Sequence, residues 1–154
     1  MLRFRADTEM DLNAICSFPQ SPEELYYFFP KASYPLSFEQ LAAAFAQRSD
    51  STVVEENGKV LGFANFYRWG DTCSIGNMVI APMARGRGMA KLLMQHMIAL
   101  AYSKFRASEV TVSCFNHNTI ALLLYKKIGF LPYDIEQRQD ITGDNVALVY
   151  MRHM

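Results

Sequence analysis

Two glycines flanked by cations stand directly before a helical pattern, in the segment Arg85–Lys91. The start of a helix offers about four unpaired backbone N–H groups and roughly half a positive charge. Glycines at positions 86 and 88 let a phosphate approach that backbone with no Cβ in the way. The flanking cations, Arg85, Arg87 and Lys91, add positive charge in a chain of zero net charge. The segment therefore predicts an anion site, most naturally for a pyrophosphate.

Two other glycine-rich loops fit this segment poorly. The P-loop needs Gly-Lys followed by Ser or Thr, whereas Met89 and Ala90 follow the second glycine. The dinucleotide fingerprint needs a third glycine where Lys91 stands, and it usually follows a first strand. A dinucleotide-dependent oxidoreductase is thus a third-ranked interpretation. A glycine turn that arose by chance, with solvated arginines, is the structural alternative.

A second motif begins at Asn118, which is placed to cap a helix. Ala121 and Tyr125 share one face of that helix because they are four residues apart. The two motifs together resemble those of the GCN5-related N-acetyltransferase (GNAT) family, which shows Arg/Gln-x-x-Gly-x-Gly/Ala and then Asn-x-x-Ala-x-x-x-Tyr followed by Gly-Phe. The matching residues are Arg85, Gly88 and Ala90 in the first motif, and Asn118, Ala121, Tyr125, Gly129 and Phe130 in the second.

This resemblance implies an enzyme that moves an acetyl group from acetyl-CoA to a primary amine. The loop amides would hold the pyrophosphate, the preceding strand would pair with the pantetheine arm, and Tyr125 would stand by the sulfur as general acid. A core aromatic is the alternative for Tyr125. The residues assigned to the coenzyme are Met78, Val79, Ile80, Arg85, Gly86, Arg87, Gly88, Met89, Ala90, Lys91, Asn118 and Tyr125. A coenzyme-binding module without turnover is the competing function.

The chain departs from one branch of the family at Ser113. Ribosomal-protein acetyltransferases carry a glutamate base five residues before the motif's asparagine, and a neutral hydroxyl cannot act as the resting base. A small amine is therefore favoured over a protein N-terminus as the acceptor. The carboxylates that could replace the missing base are Glu9, Glu23, Glu24 and Asp71.

Two residues beside the second motif, Cys114 and His117, are of types that could act as a nucleophile or as a base. Cys114 could form a covalent acetyl-enzyme. Strand alternation, however, puts Cys114 on the face opposite Ser113, so we expect a buried structural thiol. His117 stands between Asn116 and Asn118 and is interpreted as a loop residue rather than a base.

Turn and capping signals predict the elements that position these residues. Thr8, Ser21 and Ser37 are expected to cap three helices. Later helices are predicted from Gly86 to about Lys104 and over Thr119–Ile128. The predicted strands are Leu2–Arg5, Thr52–Glu55, Val60–Tyr67, Cys73–Ile80, Glu109–Phe115, Phe130–Gln137 and Val146–Arg152.

The order of these elements predicts a mixed sheet. The strands before the 86–104 helix are joined by tight turns and must be antiparallel. The step through that helix to Glu109–Phe115 demands a parallel crossover. We expect a single α/β domain over residues 1–154, with six to seven strands, helices on both faces and a GNAT-like fold.

Aromatic residues crowd the early helices, in the segment Glu24–Pro30 and again at Tyr34. Some could line a cleft for an apolar or aromatic amine, with Glu23 or Glu24 attracting its charge. Packing of a helix pair against the sheet explains the same residues equally well.

The composition excludes several classes of partner. Fifteen basic residues balance fifteen acidic ones, so no global field points to nucleic acid or an anionic membrane. No apolar run approaches the ~20 residues that span a bilayer. Three scattered cysteines predict reduced thiols in a cytoplasmic protein, and three histidines at no ligand spacing predict no metal site. A homodimer is compatible with this assignment.

Overall fold

A computed structural model describes all residues, 1–154, as one seven-stranded sheet with helices on both faces. The strands are β1 (Leu2–Ala6), β2 (Ser49–Glu56), β3 (Lys59–Trp69), β4 (Thr72–Ile80), β5 (Glu109–Phe115), β6 (Phe130–Gln139) and β7 (Asn145–His153). The helices are α1 (Glu9–Ile15), α2 (Pro22–Phe28), α3 (Phe38–Phe45), α4 (Met89–Phe105) and α5 (Thr119–Ile128). Every predicted element is present, and the mixed α/β fold is confirmed.

The sheet has the strand order β1-β2-β3-β4-β5-β7-β6. The first four strands form an antiparallel meander, and β4 pairs with β5 in parallel, as the helical crossover requires. The last strand, β7, lies between β5 and β6 and is antiparallel to both. This insertion leaves β6 as an edge strand.

The predicted helix starts are confirmed for the first three helices. Thr8, Ser21 and Ser37 each accept a hydrogen bond from the backbone N–H three residues on. The predicted start of α4 at Gly86 is wrong, because Gly86 and Gly88 adopt φ of 77° and 78° and the helix begins only at Met89. These left-handed conformations favour glycine and keep the segment as a turn.

Each face of the sheet carries its own helical layer. On one face, which we call the α2 face, α1–α3 pack against β1–β4, and Phe45 stacks on Phe63 at 4.4 Å. On the other, the α4 face, α4 and α5 cover the sheet, and Phe66 meets Phe105 edge to face at 6.1 Å. Both layers share one core, so the loops at the ends of the central strands are held firmly.

The helices are too short or too polar to cross a membrane, since none has a window of the required length and hydropathy.

Candidate active site

A cleft opens in the middle of the sheet where β4 and β5 separate. The two strands pair only from Thr72 to Ile75 and from Glu109 to Val112. From Gly76 to Ile80, β4 keeps β3 on one side and has no strand partner on the other. The backbone of Met78–Ile80, singled out in the sequence, is therefore an internal free edge that an extended chain can join.

The turn that follows β4 presents a row of free backbone donors. No backbone or side-chain acceptor within the chain meets the N–H groups of Gly86–Lys91, and Leu92 is the first to donate, to the carbonyl of Gly88 at 3.2 Å. A Cβ built on Gly86 or Gly88 would meet no atom within 4 Å, so the space over the turn is open. Six consecutive amides beside the positive end of a 17-residue helix form an anion cradle.

The three predicted cations of this turn have different environments. The Arg85 guanidinium turns away from the amides, donating to the carbonyls of Phe18 at 3.0 Å and Ile80 at 3.1 Å and pairing with Glu24 at 2.9 Å. Arg87 pairs with Glu56 at 3.1 Å. Lys91 is exposed and makes no salt bridge. The expectation that all three cations serve the anion is thus corrected for the Arg85 side chain, which fastens the turn to α2.

Tyr125 lies on α5 with its ring inside the protein, edge to face with Phe130 at 6.1 Å, and 6% of its surface exposed. Its hydroxyl has no hydrogen-bond partner in the chain. Burial raises the pKa of that hydroxyl well above its usual range, and the nearby Cys114 adds to the rise. The phenol therefore stays protonated at physiological pH and keeps a proton that it can donate in a hydrogen bond.

Cys114 is buried on the α4 face, and its Sγ contacts the carbonyls of Phe115 at 3.4 Å and Asn118 at 3.7 Å. Burial raises the pKa of this thiol to about 12. The expectation of a buried, inert thiol is confirmed. Asn118 is the N-cap residue of α5, but its side chain makes no capping hydrogen bond, contrary to the expected role. That amide is therefore free for another partner.

On the α2 face, aromatic rings close around the end of β5. Tyr26 stacks on Phe115 at 4.8 Å, and Tyr27 meets His117 edge to face at 5.0 Å. The Tyr26 hydroxyl donates to the carbonyl of Gln139 in the β6–β7 hairpin. Phe28 and Phe29 belong to the core, as the packing interpretation expects, whereas Tyr26 and Tyr27 are half-buried and their role in an acceptor cleft stays a prediction.

Three of the four carboxylates suggested as bases are either bound to other groups or remote from the aromatic rings. Glu24 is paired with Arg85 and accepts the Gln20 N–H at 3.1 Å. Asp71 precedes β4, nine residues long, and so lies at the end of the sheet opposite the turn. Glu9 is exposed at the start of α1, beside the edge strand β1. Only Glu23, on α2, is close to the aromatic rings, where it adds to the burial-driven rise in the pKa of Tyr27.

Sequence reasoning missed the polar residues at the mouth of the cleft. A register shift between β3 and β4 leaves Asn77 as an extra residue with φ 46°, and its Nδ2 donates to the carbonyl of Phe28 at 3.1 Å. Its Oδ1 is buried without a partner, as are both amide atoms of Asn65, which is 0% exposed. An asparagine in a strand is a weak signal for such a bulge, so periodicity alone could not reveal it.

Two surface cavities do not coincide with the candidate active site. One surface cavity lies between β1, β2 and α4, around Phe4 and His96, and another lies around Lys31, Gln40 and Arg48. Neither contains a residue of the turn or Tyr125. The cleft between β4 and β5 is a gap open to solvent, so its backbone donors identify it better than its volume.

Comparison with protein families gives a match over most of the chain. The model described as "Acetyltransferase (GNAT) family" matches residues 12–130, a range that includes the turn after β4, the motif beginning at Asn118 and most of both helical layers.

Solved structures with the same fold extend the match to nearly the whole chain. A putative phosphinothricin N-acetyltransferase superposes with a TM-score of 0.84 at 20% identity, covering 99% of this chain and 98% of its own. The spermidine N-acetyltransferase from Vibrio cholerae, in complex with CoA and spermine, gives 0.82 at 20%, covering 98% and 94%. The ribosomal-protein-S18-alanine N-acetyltransferase from Escherichia coli gives 0.79 at 19%, covering 99% and 93%.

Proposed function

This chain belongs to the acetyltransferase (GNAT) family, and we propose that it moves an acetyl group from acetyl-CoA to a small primary amine by direct attack in a ternary complex. The observation that carries the proposal is the row of six unpartnered amides, Gly86–Lys91, next to the free edge of β4. A pyrophosphate and an amide-bearing extended arm are the two ligand groups that such a pair of surfaces fits.

Each part of the coenzyme has a matching surface. The pyrophosphate would take the amides of Gly86–Lys91, with the exposed Lys91 ammonium close by. The pantetheine arm would add to β4 along Met78–Ile80, which has no strand partner on that side. The free side-chain amide of Asn118 would contact the coenzyme at the start of α5.

Tyr125 would assist the departure of the thiolate mainly through a hydrogen bond. An ordinary phenol and an ordinary thiol differ by ~1.5 pKa units, so full proton transfer costs roughly 2 kcal/mol before any burial. Burial raises the pKa of Tyr125 further, which makes complete transfer less favourable still. A hydrogen bond that strengthens as charge develops on sulfur stabilises the transition state without that cost.

Direct attack is favoured over a covalent acetyl-enzyme. The only cysteine near Tyr125 is Cys114, whose pKa is raised by burial to about 12. At neutral pH almost none of it is thiolate, and the thiolate is the nucleophilic form. The amine nitrogen would therefore attack the thioester carbonyl carbon itself.

The acceptor is proposed to be a small amine with an apolar or aromatic body. Solved relatives act on quite different amines, among them spermidine, so the fold alone does not select one. Here the α2 face offers the rings of Tyr26, Tyr27 and Phe115, with the carboxylate of Glu23 nearby. Aromatic faces attract a cation within about 6 Å, and a carboxylate reinforces that attraction. Ser113 in place of a glutamate gives a protein N-terminus no comparable support.

The first test measures binding and turnover separately. Thermal unfolding would be followed with acetyl-CoA, CoA and NAD(P), and thiol release would then be assayed with 2-phenylethylamine, spermidine, phosphinothricin and an N-terminal alanine peptide. We expect a rise in Tm with both forms of the coenzyme, none with NAD(P), and thiol release that depends on one of the small amines.

The missing glutamate at Ser113 favours one alternative, a module that binds acyl-CoA without turnover. Stabilisation by acetyl-CoA with no thiol release from any amine would support that module. Stabilisation by NAD(P) alone would contradict both functions.

A further inference from the structure

His117 lies in the turn between β5, which ends at Phe115, and α5, which begins at Thr119. Its ring lies edge to face with Tyr27 at 5.0 Å and 5.9 Å from the ring of Phe115. The third neighbour is the β6–β7 hairpin: hydrogen bonds, the first from Thr142, lower the pKa of Asp140, and the charge of His117 contributes to the same shift. Three separate segments thus surround one imidazole.

The Nδ1 atom of His117 is buried and has no hydrogen-bond partner. A buried polar atom without a partner typically costs about 1–3 kcal/mol. Such atoms are uncommon in folded proteins, and one in a cleft is explained when a ligand supplies the missing partner. In the tautomer that carries its proton on Nε2, the imidazole Nδ1 is a hydrogen-bond acceptor, and its missing partner is then an N–H or O–H donor.

The reaction proposed above has a proton that needs such an acceptor. The attacking amine must lose one proton as the C–N bond forms. Ser113 cannot take it, Glu24 is held by Arg85, and Asp71 is at the far end of β4. Of the other two suggested carboxylates, Glu9 lies beside the edge strand β1 and Glu23 is exposed on α2. Tyr125 lies on the α4 face and donates to sulfur rather than accepting. A base is therefore needed on the α2 face of β5, where the aromatic rings would hold the amine.

We propose that His117, through Nδ1, is the catalytic base that receives the proton of the attacking amine, an inference that rests on the proposed acetyl transfer. The nitrogen lone pair forms the C–N bond, the C–S bond breaks, and the sulfur keeps that electron pair. The amine proton passes to Nδ1 and then to solvent, while the thiolate gains a proton from Tyr125 or from solvent. The products are an N-acetyl amine and CoA with a free thiol.

The charges around His117 suit a base that becomes cationic. Asp140 on the hairpin and Glu23 beside Tyr27 are both carboxylates, and no arginine or lysine pairs with either. Asp140 instead accepts from the N–H groups of Thr142 and Asp144, both at 2.9 Å. The negative charge of Asp140, which interacts with that of His117, would stabilise an imidazolium during the reaction.

The test compares His117→Asn and His117→Gln with wild type, using the most active amine of the panel above. Both amides can accept a hydrogen bond, but neither takes up a proton at the pH of the assay. We expect kcat/KM for the amine to fall by ~10²–10⁴-fold, the usual contribution of a positioned base. Affinity for acetyl-CoA should stay within about twofold. His96→Asn is the matched control, because His96 stacks on Phe4 at 4.2 Å near the other edge of the sheet.

The pH dependence separates a base from a merely structural histidine. On the acidic side of its pH profile, wild-type kcat/KM should fall with a slope of two on a logarithmic plot, because the amine and an imidazole must both be unprotonated. The His117 variants should fall with a slope of one. A wild-type slope of one would overturn the proposal even if the variants failed to fold.

Two further outcomes are decisive. Variants within about threefold of wild type, with active wild-type enzyme, would remove His117 from the chemistry and leave the proposed function intact. Wild-type enzyme that releases no thiol with any amine would instead overturn the proposed function, and this inference with it.

Discussion

The two sides of the cleft are built in different ways. The proposed coenzyme side consists of contiguous residues, the Gly86–Lys91 turn and the start of α4, whose backbone N–H groups have no acceptor within the chain. The acceptor side combines α2, the end of β5 and the β6–β7 hairpin, which are far apart in the sequence. Recognition of the coenzyme would thus depend on the backbone of one short segment. Recognition of the amine acceptor would instead depend on side chains that packing brings together from several segments.

Arg85 joins the two sides. Its backbone belongs to the turn after β4, while its guanidinium donates to Phe18 and pairs with Glu24 at the start of α2. The Arg85 side chain, which the sequence motif suggested as a phosphate ligand, therefore connects the turn after β4 to the start of α2. The comparison predicts that changes on the coenzyme side alter affinity, whereas changes at the reacting atoms alter turnover.

The largest effect is expected for Tyr125→Phe, which keeps the buried ring and removes the donor to sulfur. The kcat should fall by ~10²–10⁴-fold, since a positioned acid typically contributes that much. Affinity for acetyl-CoA should change little because the ground-state contacts of the ring remain. Steady-state kinetics and calorimetry with CoA measure the two quantities.

Tyr102→Phe serves as the control for this substitution, because the Tyr102 hydroxyl bonds to His153 at 2.9 Å instead of facing the cleft. A Tyr125→Phe enzyme with near wild-type kcat would remove the phenol from the reaction.

Gly88→Val should weaken acetyl-CoA binding at least tenfold while the fold persists. The side chain would fill the open space over the amides, and φ 78° would strain the turn. Gly58→Val is a matched control, since Gly58 has φ 79° and open space around it but lies in the β2–β3 hairpin. Equal affinities for the Gly88 variant and wild type, measured by calorimetry, would contradict the anion cradle.

The smallest effect on turnover is expected for Cys114→Ala. Its thiol has a pKa of about 12 through burial, so its loss should leave the rate nearly unchanged and lower the free energy of unfolding by about 1 kcal/mol. Cys73→Ala, at another buried thiol, is the control for the loss of packing. A folded but inactive Cys114 variant would indicate a covalent acetyl-enzyme. It would contradict direct attack of the amine on the thioester.

Much of the fold followed from local signals in the sequence. Capping serines at 21 and 37, the Asn57-Gly58 turn and the spacing of apolar residues located every helix and strand. The length of the crossover helix required a parallel β4–β5 pair. Strand order beyond β5 did not follow, because either of two antiparallel strands could lie next to β5, and packing placed β7 there.

The sequence by itself predicted the glycine turn after β4, because the conformation of a glycine turn depends on neighbouring residues in the chain, although it placed the start of α4 three residues too early. Only the tertiary structure decided the direction of the Arg85 side chain, the bulge at Asn77 and the surroundings of His117. Each of these involves contacts between segments dozens of residues apart, such as α2 with β5 and α2 with β4. Local propensity carries no information on such contacts, since the same side chain is solvated or buried according to what packs over it.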